Sequence, residues 1–153
     1  MNKDLILPNT FLIGAQKSAT TSIYDWLSQH PDVCAPISVK DYAFFTRNDF
    51  YEKGFDHLSS FYLKNYKGEK IILQGSVHYI YFEKALERIA KFNPNAKFIL
   101  ILRNPIDRAI SAYEYALKFK YETLPLKEAF NKENERILKA DHRELSELTY
   151  KSH

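Results

Sequence analysis

Residues 10–22, Thr-Phe-Leu-Ile-Gly-Ala-Gln-Lys-Ser-Ala-Thr-Thr-Ser, constrain the chain more than any other stretch. Phe11, Leu12 and Ile13 form an apolar run of strand length, too short for a helix. Gly14 ends the run where the chain must turn sharply. Beyond the turn, Ile23, Trp26 and Leu27 recur at helical spacing. A strand that feeds a helix through small residues presents backbone N–H groups at the positive end of the helix dipole, which suits a phosphate. Lys17 adds a full charge, and Ser18, Thr20, Thr21 and Ser22 add hydroxyls. The plainer reading is a solvated lysine on a strand–helix turn, and this stretch alone leaves both open. It is not a Walker A loop, which needs a second Gly followed by Lys and then Ser or Thr. Ala19 and Thr20 occupy the places of that Gly and Lys, and Lys17 comes too early.

A chain of 153 residues has the length of one domain, and its 45% hydrophobic content suits a packed core rather than disorder. The net charge is only +3, with both signs interspersed, which excludes a general nucleic-acid binder but allows a local basic pocket. Cys34 is the only cysteine, so no intrachain disulfide can form and a reducing compartment is expected. The apolar run in residues 1–8 is short for a signal peptide, and no window is apolar enough to span a membrane. The expectation is a soluble, cytoplasmic protein with no membrane or nucleic-acid partner. No metal-ligand spacing accompanies His57, and no metal is expected.

In chain order, the first helix is expected from Thr20 to Gln29, capped by Thr20 or a neighbour, with Ile23, Trp26 and Leu27 on the sheet and Tyr24 in the core. A brief strand or extended loop fits between Pro31 and Pro36. Lys40 and Asp41 precede the aromatic run Tyr42 to Phe45. They read either as a surface ion pair of little energetic weight or as a carboxylate held at a pocket rim for general-base duty. A helix is predicted over 57–66, and a second strand at Ile71 to Leu73 leads into Gln74-Gly75-Ser76-Val77-His78-Tyr79, where polar residues at a strand end can line a crevice. A lone His78 there is more often structural or orienting than catalytic. The helix over 82–92 turns Phe82, Ala85, Leu86, Ile89 and Ala90 inward and Glu83, Lys84, Glu87, Arg88 and Lys91 to water. Lys97 to Leu102 reads as the clearest buried strand, followed by Arg103-Asn104-Pro105 and a helix to about residue 121. Arg103 is either a cap or carboxylate partner, or a bidentate phosphate ligand. A further helix is expected from 125 or 126 to 139, with Ala129, Phe130, Ile137 and Leu138 as its apolar side, then a polar tail over 140–153.

Two motifs now occur in order. Gly14 to Ser22 resembles the 5′-phosphosulfate loop of sulfotransferases, and Leu100 to Tyr113, with Arg103-Asn104-Pro105, Arg108-Ala109 and Ser111, resembles their 3′-phosphate motif. The flanking segments 27–33 and 88–97 resemble the branch that modifies heparan-type polysaccharides and its bacterial relatives. The resemblance implies an α/β, P-loop-like three-layer fold with a central parallel sheet flanked by helices. It implies 3′-phosphoadenosine 5′-phosphosulfate (PAPS) as donor and 3′-phosphoadenosine 5′-phosphate (PAP) as product. Gln16, Lys17, Ser18, Ala19, Thr20, Thr21 and Ser22 would then cradle the 5′-phosphosulfate, with Lys17 stabilising the leaving phosphate, and Arg103 and Ser111 would bind the 3′-phosphate. Asp41 would be the base, because such relatives show Lys-Glu-x-His-Phe-Phe where this chain has Lys40-Asp41-Tyr42-Ala43-Phe44-Phe45. The carboxylate is one methylene shorter here and the histidine is Ala43. At 74–79 relatives favour Glu-x-Ser-Pro-x-Tyr, whereas this chain has Gln74, which cannot act as a base, and lacks the proline. Relatives also continue for about another hundred residues.

The leading expectation is therefore a single sulfotransferase domain over 1–153, lacking the usual C-terminal part, that moves a sulfuryl group to a hydroxyl or amine of a saccharide or other acceptor. A degenerate, non-catalytic PAP- or PAPS-binding module is the alternative suggested by the departures. A P-loop kinase or NTPase is disfavoured by the position of Lys17. Acceptor identity and oligomeric state are not written in the sequence.

Overall fold

The computed structural model describes residues 5–139, and the chain divides between Leu102 and Arg103 into two compact units. The first is built on β1 (Thr10–Gly14), whose residues are all buried. Parallel pairing puts β3 (Ile71–Gly75) on one side of it and β4 (Lys97–Leu100) on the other. The short β2 (Val33–Cys34) pairs parallel with β3, so the sheet order is β2-β3-β1-β4. Parallel neighbours need long crossovers, and helices supply them. Helix α1 (Thr20–Ser28) joins β1 to β2, α2 (Asn48–Tyr51) and α3 (Gly54–Leu63) lie between β2 and β3, and α4 (Glu83–Phe92) joins β3 to β4.

Side chains alternate along a strand, so β1 sends Phe11 and Ile13 to one face and Leu12 to the other. The Phe11 face is aromatic. Phe44, Phe45 and Tyr79 are fully buried there with Leu58 and Tyr62 of α3 and Ala85 and Ile89 of α4. Phe45 meets Phe11, Phe44 and Tyr79 edge to face, with centroids 5.7, 5.0 and 5.8 Å apart. The opposite face packs Leu12 against Tyr24 of α1, Val33 and Leu73, with Leu27 alongside. Two covered faces on a central parallel sheet make the expected three-layer α/β arrangement.

Several local expectations change. Tyr24 is in the core, but Trp26 is 67% exposed. Two helical residues are about 200° apart around the axis, so burying Tyr24 turns Trp26 to water. Arg88 does not simply face solvent. It donates to the Phe45 carbonyl at 2.9 Å and to Asn48 Oδ1 at 2.6 Å, and its guanidinium lies 4.2 Å from the Tyr51 ring centroid. Ala90 is exposed rather than inward. His57 lies within α3, half-buried, with Nε2 2.9 Å from the Tyr42 hydroxyl. The largest change is β4. Among the described residues it lies at the edge of the sheet, with Phe98 46% and Leu100 44% exposed and Leu102, just beyond it, 75% exposed; Ile99 and Ile101 pack on the Leu12 face, and Phe98 touches Phe11 with ring centroids 5.9 Å apart.

In the second unit, α5 (Pro105–Lys118) buries none of its residues fully. The helix expected up to 139 is two helices, α6 (Leu126–Asn131) and α7 (Glu133–Lys139). Ala129 is buried, but Ile137 and Leu138 are 55% and 87% exposed, so the thin apolar side gives little packing to hold one continuous rod. The tail over 140–153 lies outside the described residues. Arg136 of α7 donates to Glu122 Oε2 at 2.5 Å, and the Thr123 and Leu124 N–H groups donate to Glu122 Oε1 at 2.8 and 3.0 Å.

Two outcomes follow for stability. A Cβ added at Gly75 would sit 2.8 Å from Cδ2 of the Tyr24 ring. Gly75→Ala is expected to destabilise the fold by about 1–3 kcal/mol in urea unfolding, as overpacking does. The Arg136 guanidinium, helped by the two backbone donors, pulls the Glu122 carboxyl from 4.5 down to about 2. A depressed carboxyl stabilises the folded state above its unfolded value and loses that effect as pH falls through its folded value. Glu122→Gln should therefore lower stability at neutral pH, and the gap from wild type should close as pH falls from 4.5 through about 2.

Candidate functional site

Strand β1 ends at Gly14, where φ is +146° and the Ile80 Cγ2 methyl lies 3.2 Å from the place a Cβ would take. Glycine alone meets both demands easily. The pairing with β4 shifts register between Leu12 and Gly14. Ile101 then pins the turn from both sides, donating to the Gly14 carbonyl and accepting from the Ala15 N–H at 2.8 Å each. Beyond it, Lys17 and Ala19 adopt left-handed backbone at φ 66° and 63°. Ser18 N–H donates back to the Ala15 carbonyl at 3.2 Å.

Thr20 does not cap α1. It is the first helical residue, and the cap position belongs to Ala19, which makes no side-chain cap bond. A Ser, Thr or Asp cap would take up an N–H of the first turn. Alanine leaves those donors to whatever approaches the positive end of the helix. Ser18 Oγ is buried and has no hydrogen-bond partner among the described residues. Gln16 and Lys17 are half-buried, and Ala19, Thr21 and Ser22 are exposed. Residues 16–22 thus form one loop and first turn rich in N–H and hydroxyl donors, the kind of concavity that suits an anion.

Asp41 follows a 3-10 turn, Ile37–Val39. Its φ is 59°, again left-handed. Successive side chains of an extended chain point apart. The left-handed turn brings the carboxylate back onto its own neighbour, so Lys40 Nζ donates to Asp41 Oδ2 at 2.7 Å. The pair is sunk at its lysine end and open at its carboxylate end, the Lys40 side chain being 8% exposed and that of Asp41 36%. Asp41 Oδ1 is buried and lacks a hydrogen-bond partner among the described residues. The Asp41 N–H donates to the Gly75 carbonyl at 2.6 Å, which hangs the residue on the end of β3.

Gly75 and Tyr24, which the sequence did not mark as site residues, set this floor. The Tyr24 ring fills the space that a Cβ on Gly75 would need. Its hydroxyl donates to the Pro36 carbonyl at 2.9 Å, and burial above all pushes that phenol well above its ordinary pKa. Leu12 of β1 is in register with Gly75 of β3, and Ser76 N–H donates to the Leu12 carbonyl at 2.9 Å. Asp41 and the 16–22 loop are therefore carried on the ends of adjacent strands. Gln74 is fully buried, and its Nε2 donates to the Tyr79 hydroxyl at 2.8 Å, which in turn donates to the Tyr42 carbonyl at 3.2 Å. Its amide ties the aromatic segment to β3. His78 is buried beside it, 6% exposed.

In the second unit, Asn104 caps α5, its Oδ1 accepting from Ile106 N–H at 3.0 Å and Asp107 N–H at 3.4 Å, with Pro105 opening the helix. Arg103, immediately before this cap, is exposed. Ser111 is half-buried and shares a helix face with Arg108 at i and i+3. Among the described residues, no group of three or more His, Cys, Asp or Glu could hold a metal ion, and no helix is long and apolar enough to cross a membrane.

Comparison with known proteins agrees with this layout. The Sulfotransferase domain family matches residues 7–148. Bifunctional heparan sulfate N-deacetylase/N-sulfotransferase 3 of Homo sapiens is 34% identical over 128 residues, which cover 75% of this chain and 14% of that protein. Membrane-associated sulfotransferase kil1 of Dictyostelium discoideum is 30% identical over 132 residues, 84% of this chain and 27% of its own length. The crystal structure of a sulfotransferase from Alicyclobacillus acidocaldarius has a TM-score of 0.77 at 32% identity, covering 87% of this chain and 59% of that one. The chain thus spans only a minor part of those two curated relatives. With a family match over most of its length and a parallel sheet shared with a solved relative, the chain belongs to the sulfotransferase domain family.

Proposed function

We propose that this domain binds PAPS and transfers its sulfuryl group to an amine or hydroxyl, most naturally of a saccharide, releasing PAP. The observation that carries this reading is the 16–22 turn, where a helix start without a side-chain cap, left-handed Lys17 and Ala19 and a buried Ser18 hydroxyl with no hydrogen-bond partner among the described residues gather donors for an anion. In the reaction the acceptor nitrogen or oxygen forms a bond to sulfur as the bond from sulfur to the 5′-phosphate oxygen breaks. That electron pair stays on the leaving phosphate of PAP. Lys17 and the loop N–H groups stabilise it by preorganised charge. The acceptor proton goes to Asp41, whose side chain is 36% exposed. A sulfuryl group carries less negative charge than a phosphoryl group, so one lysine and backbone dipoles suit it. The assignment of Arg103 and Ser111 to the 3′-phosphate rests on their motif, with the planar guanidinium suited to bidentate contact. A saccharide acceptor draws its support from the polysaccharide-modifying relative.

A second reading, a module that binds nucleotide without turnover, is favoured by Gln74. It stands where relatives favour Glu, and its amide is engaged with Tyr79.

Calorimetric titration with PAP tests the nucleotide site. Wild type should bind, AMP should bind more weakly for want of the 3′-phosphate, and Lys17→Ala or Arg103→Ala should each lose about 10-fold to 100-fold in affinity, the scale of a charge-assisted hydrogen bond. Folded wild type that fails to bind PAP overturns the reading. Sulfuryl transfer from PAPS, assayed against amino and hydroxyl saccharides, separates enzyme from module. Asp41→Asn should lower kcat about 10²–10⁴-fold, as loss of a general base does, while PAP affinity stays at the wild-type value.

A further inference from the structure

Lys40 is a buried ammonium that the reaction described above does not use. Its side chain is 8% exposed, and its Nζ donates to the carboxylate of the next residue at 2.7 Å. Burying a lysine is unfavourable unless the charge is met. A salt bridge between adjacent residues also requires unusual backbone, which Asp41 supplies at φ 59°. Such strain persists only where the surroundings over-determine it. Three contacts do so here. The Asp41 N–H is fixed to the Gly75 carbonyl at 2.6 Å. The Tyr24 ring lies against the bare face of Gly75. Lys40 Nζ stands 6.0 Å from the centroid of that same ring, at the outer limit of a cation–π contact. Tyr24 belongs to α1, the helix whose first turn completes the anion cradle. Tyr24, Gly75, Lys40 and Asp41 are therefore one packed assembly that links the cradle helix to the carboxylate.

We propose that Lys40 is a positioning residue for sulfuryl transfer. It holds Asp41 Oδ2, which fixes the rotation of the carboxylate while the Asp41 side chain stays 36% exposed to an approaching acceptor. This rests on the reading of Asp41 as the base. Lys40 touches neither donor nor acceptor. Its effect passes through Asp41 alone, and a carboxylate free to rotate or shift by an ångström would lose about 10²-fold in rate.

The test is a kinetic cycle in the full chain, with PAPS as donor and an amino or hydroxyl saccharide as acceptor. Lys40→Met should lower kcat about 10²-fold while the PAP dissociation constant stays at the wild-type value, which also reports that the variant is folded. Lys40→Arg, which keeps the charge and can reach the carboxylate, should recover most of that loss. Adding Lys40→Met to Asp41→Asn should cost nothing further, because the group it positions has already lost its function. A further loss in the double variant would mean that Lys40 meets the reacting groups directly, and would overturn the proposal. So would a Lys40→Met enzyme with wild-type kcat, or one that loses PAP affinity in parallel with rate. If Lys40→Met does not fold, the Arg variant decides: kcat as low as that of Asp41→Asn overturns the proposal, and near-wild-type kcat supports it. A wild type that binds PAP but transfers nothing overturns the catalytic reading, and this proposal falls with it. An active wild type indifferent to Lys40 overturns this proposal alone.

Discussion

Strand β1 has no face left for water. All five of its residues are buried, and burying side chains such as Phe11, Leu12 and Ile13 contributes about 1.5–3 kcal/mol each. That gain requires both faces of the sheet to be covered, which α1 does on one side and α3 and α4 on the other. It also keeps chemistry out of the strand itself. Polar side chains have to gather where the strand ends, as they do in open α/β sheets generally. Gly14 is the exit, and the donor-rich turn over 16–22 begins immediately beyond it. The candidate site is thus a by-product of how thoroughly the centre of the sheet is closed.

That central unit was legible in the sequence because its signals are local. An apolar run, a glycine, a cluster of small residues and a helical repeat are contiguous from Thr10 to Leu27. The parallel sheet was implied by the resemblance of the two motifs to sulfotransferases, and the structure has it. Features decided by distant partners were not legible. An apolar run at 97–102 reads the same at a sheet edge as at its centre, and the exposure of Phe98 and Leu100 depends on what lies beside them. Helical period fixes which residues share a face but not which face turns inward: Tyr24 is in the core as expected, and Trp26, expected on the sheet, is turned to water. Lys40 looked like a surface charge because nothing nearby in sequence announces the ring of Tyr24. The strand expected at 71–73 runs on to Gly75, whose place against the Tyr24 ring is likewise set by a distant partner. The aromatic segment after Asp41 gave its composition away but not that Arg88 would bind its backbone.

The buried tyrosines on the two faces of the sheet show how polar tips can organise an apolar layer. Tyr24, Tyr62 and Tyr79 are fully buried, and each hydroxyl ends on a backbone carbonyl: Pro36 at 2.9 Å, Leu73 at 3.4 Å and Tyr42 at 3.2 Å. A buried phenol without a partner would be costly, so each tyrosine selects one arrangement of the strand or loop it reaches. Arg88 does the same from α4, stacking on Tyr51 while it grips Phe45 and Asn48. The segment that follows Asp41 is consequently held by directional contacts as well as by apolar area.

The left-handed backbone at Asp41 limits what can be inherited at that position. Glycine, asparagine and aspartate tolerate this region, whereas longer side chains enter it at greater expense. Of the three, only aspartate carries a charge for Lys40 to meet. The turn therefore filters mutations before chemistry does. A carboxylate one methylene shorter than that of the heparan-type relatives is the acidic residue most compatible with this geometry, and lengthening it would work against the same backbone that turns it towards Lys40. Drift at this position has few exits: glycine and asparagine would keep the turn and lose the negative charge.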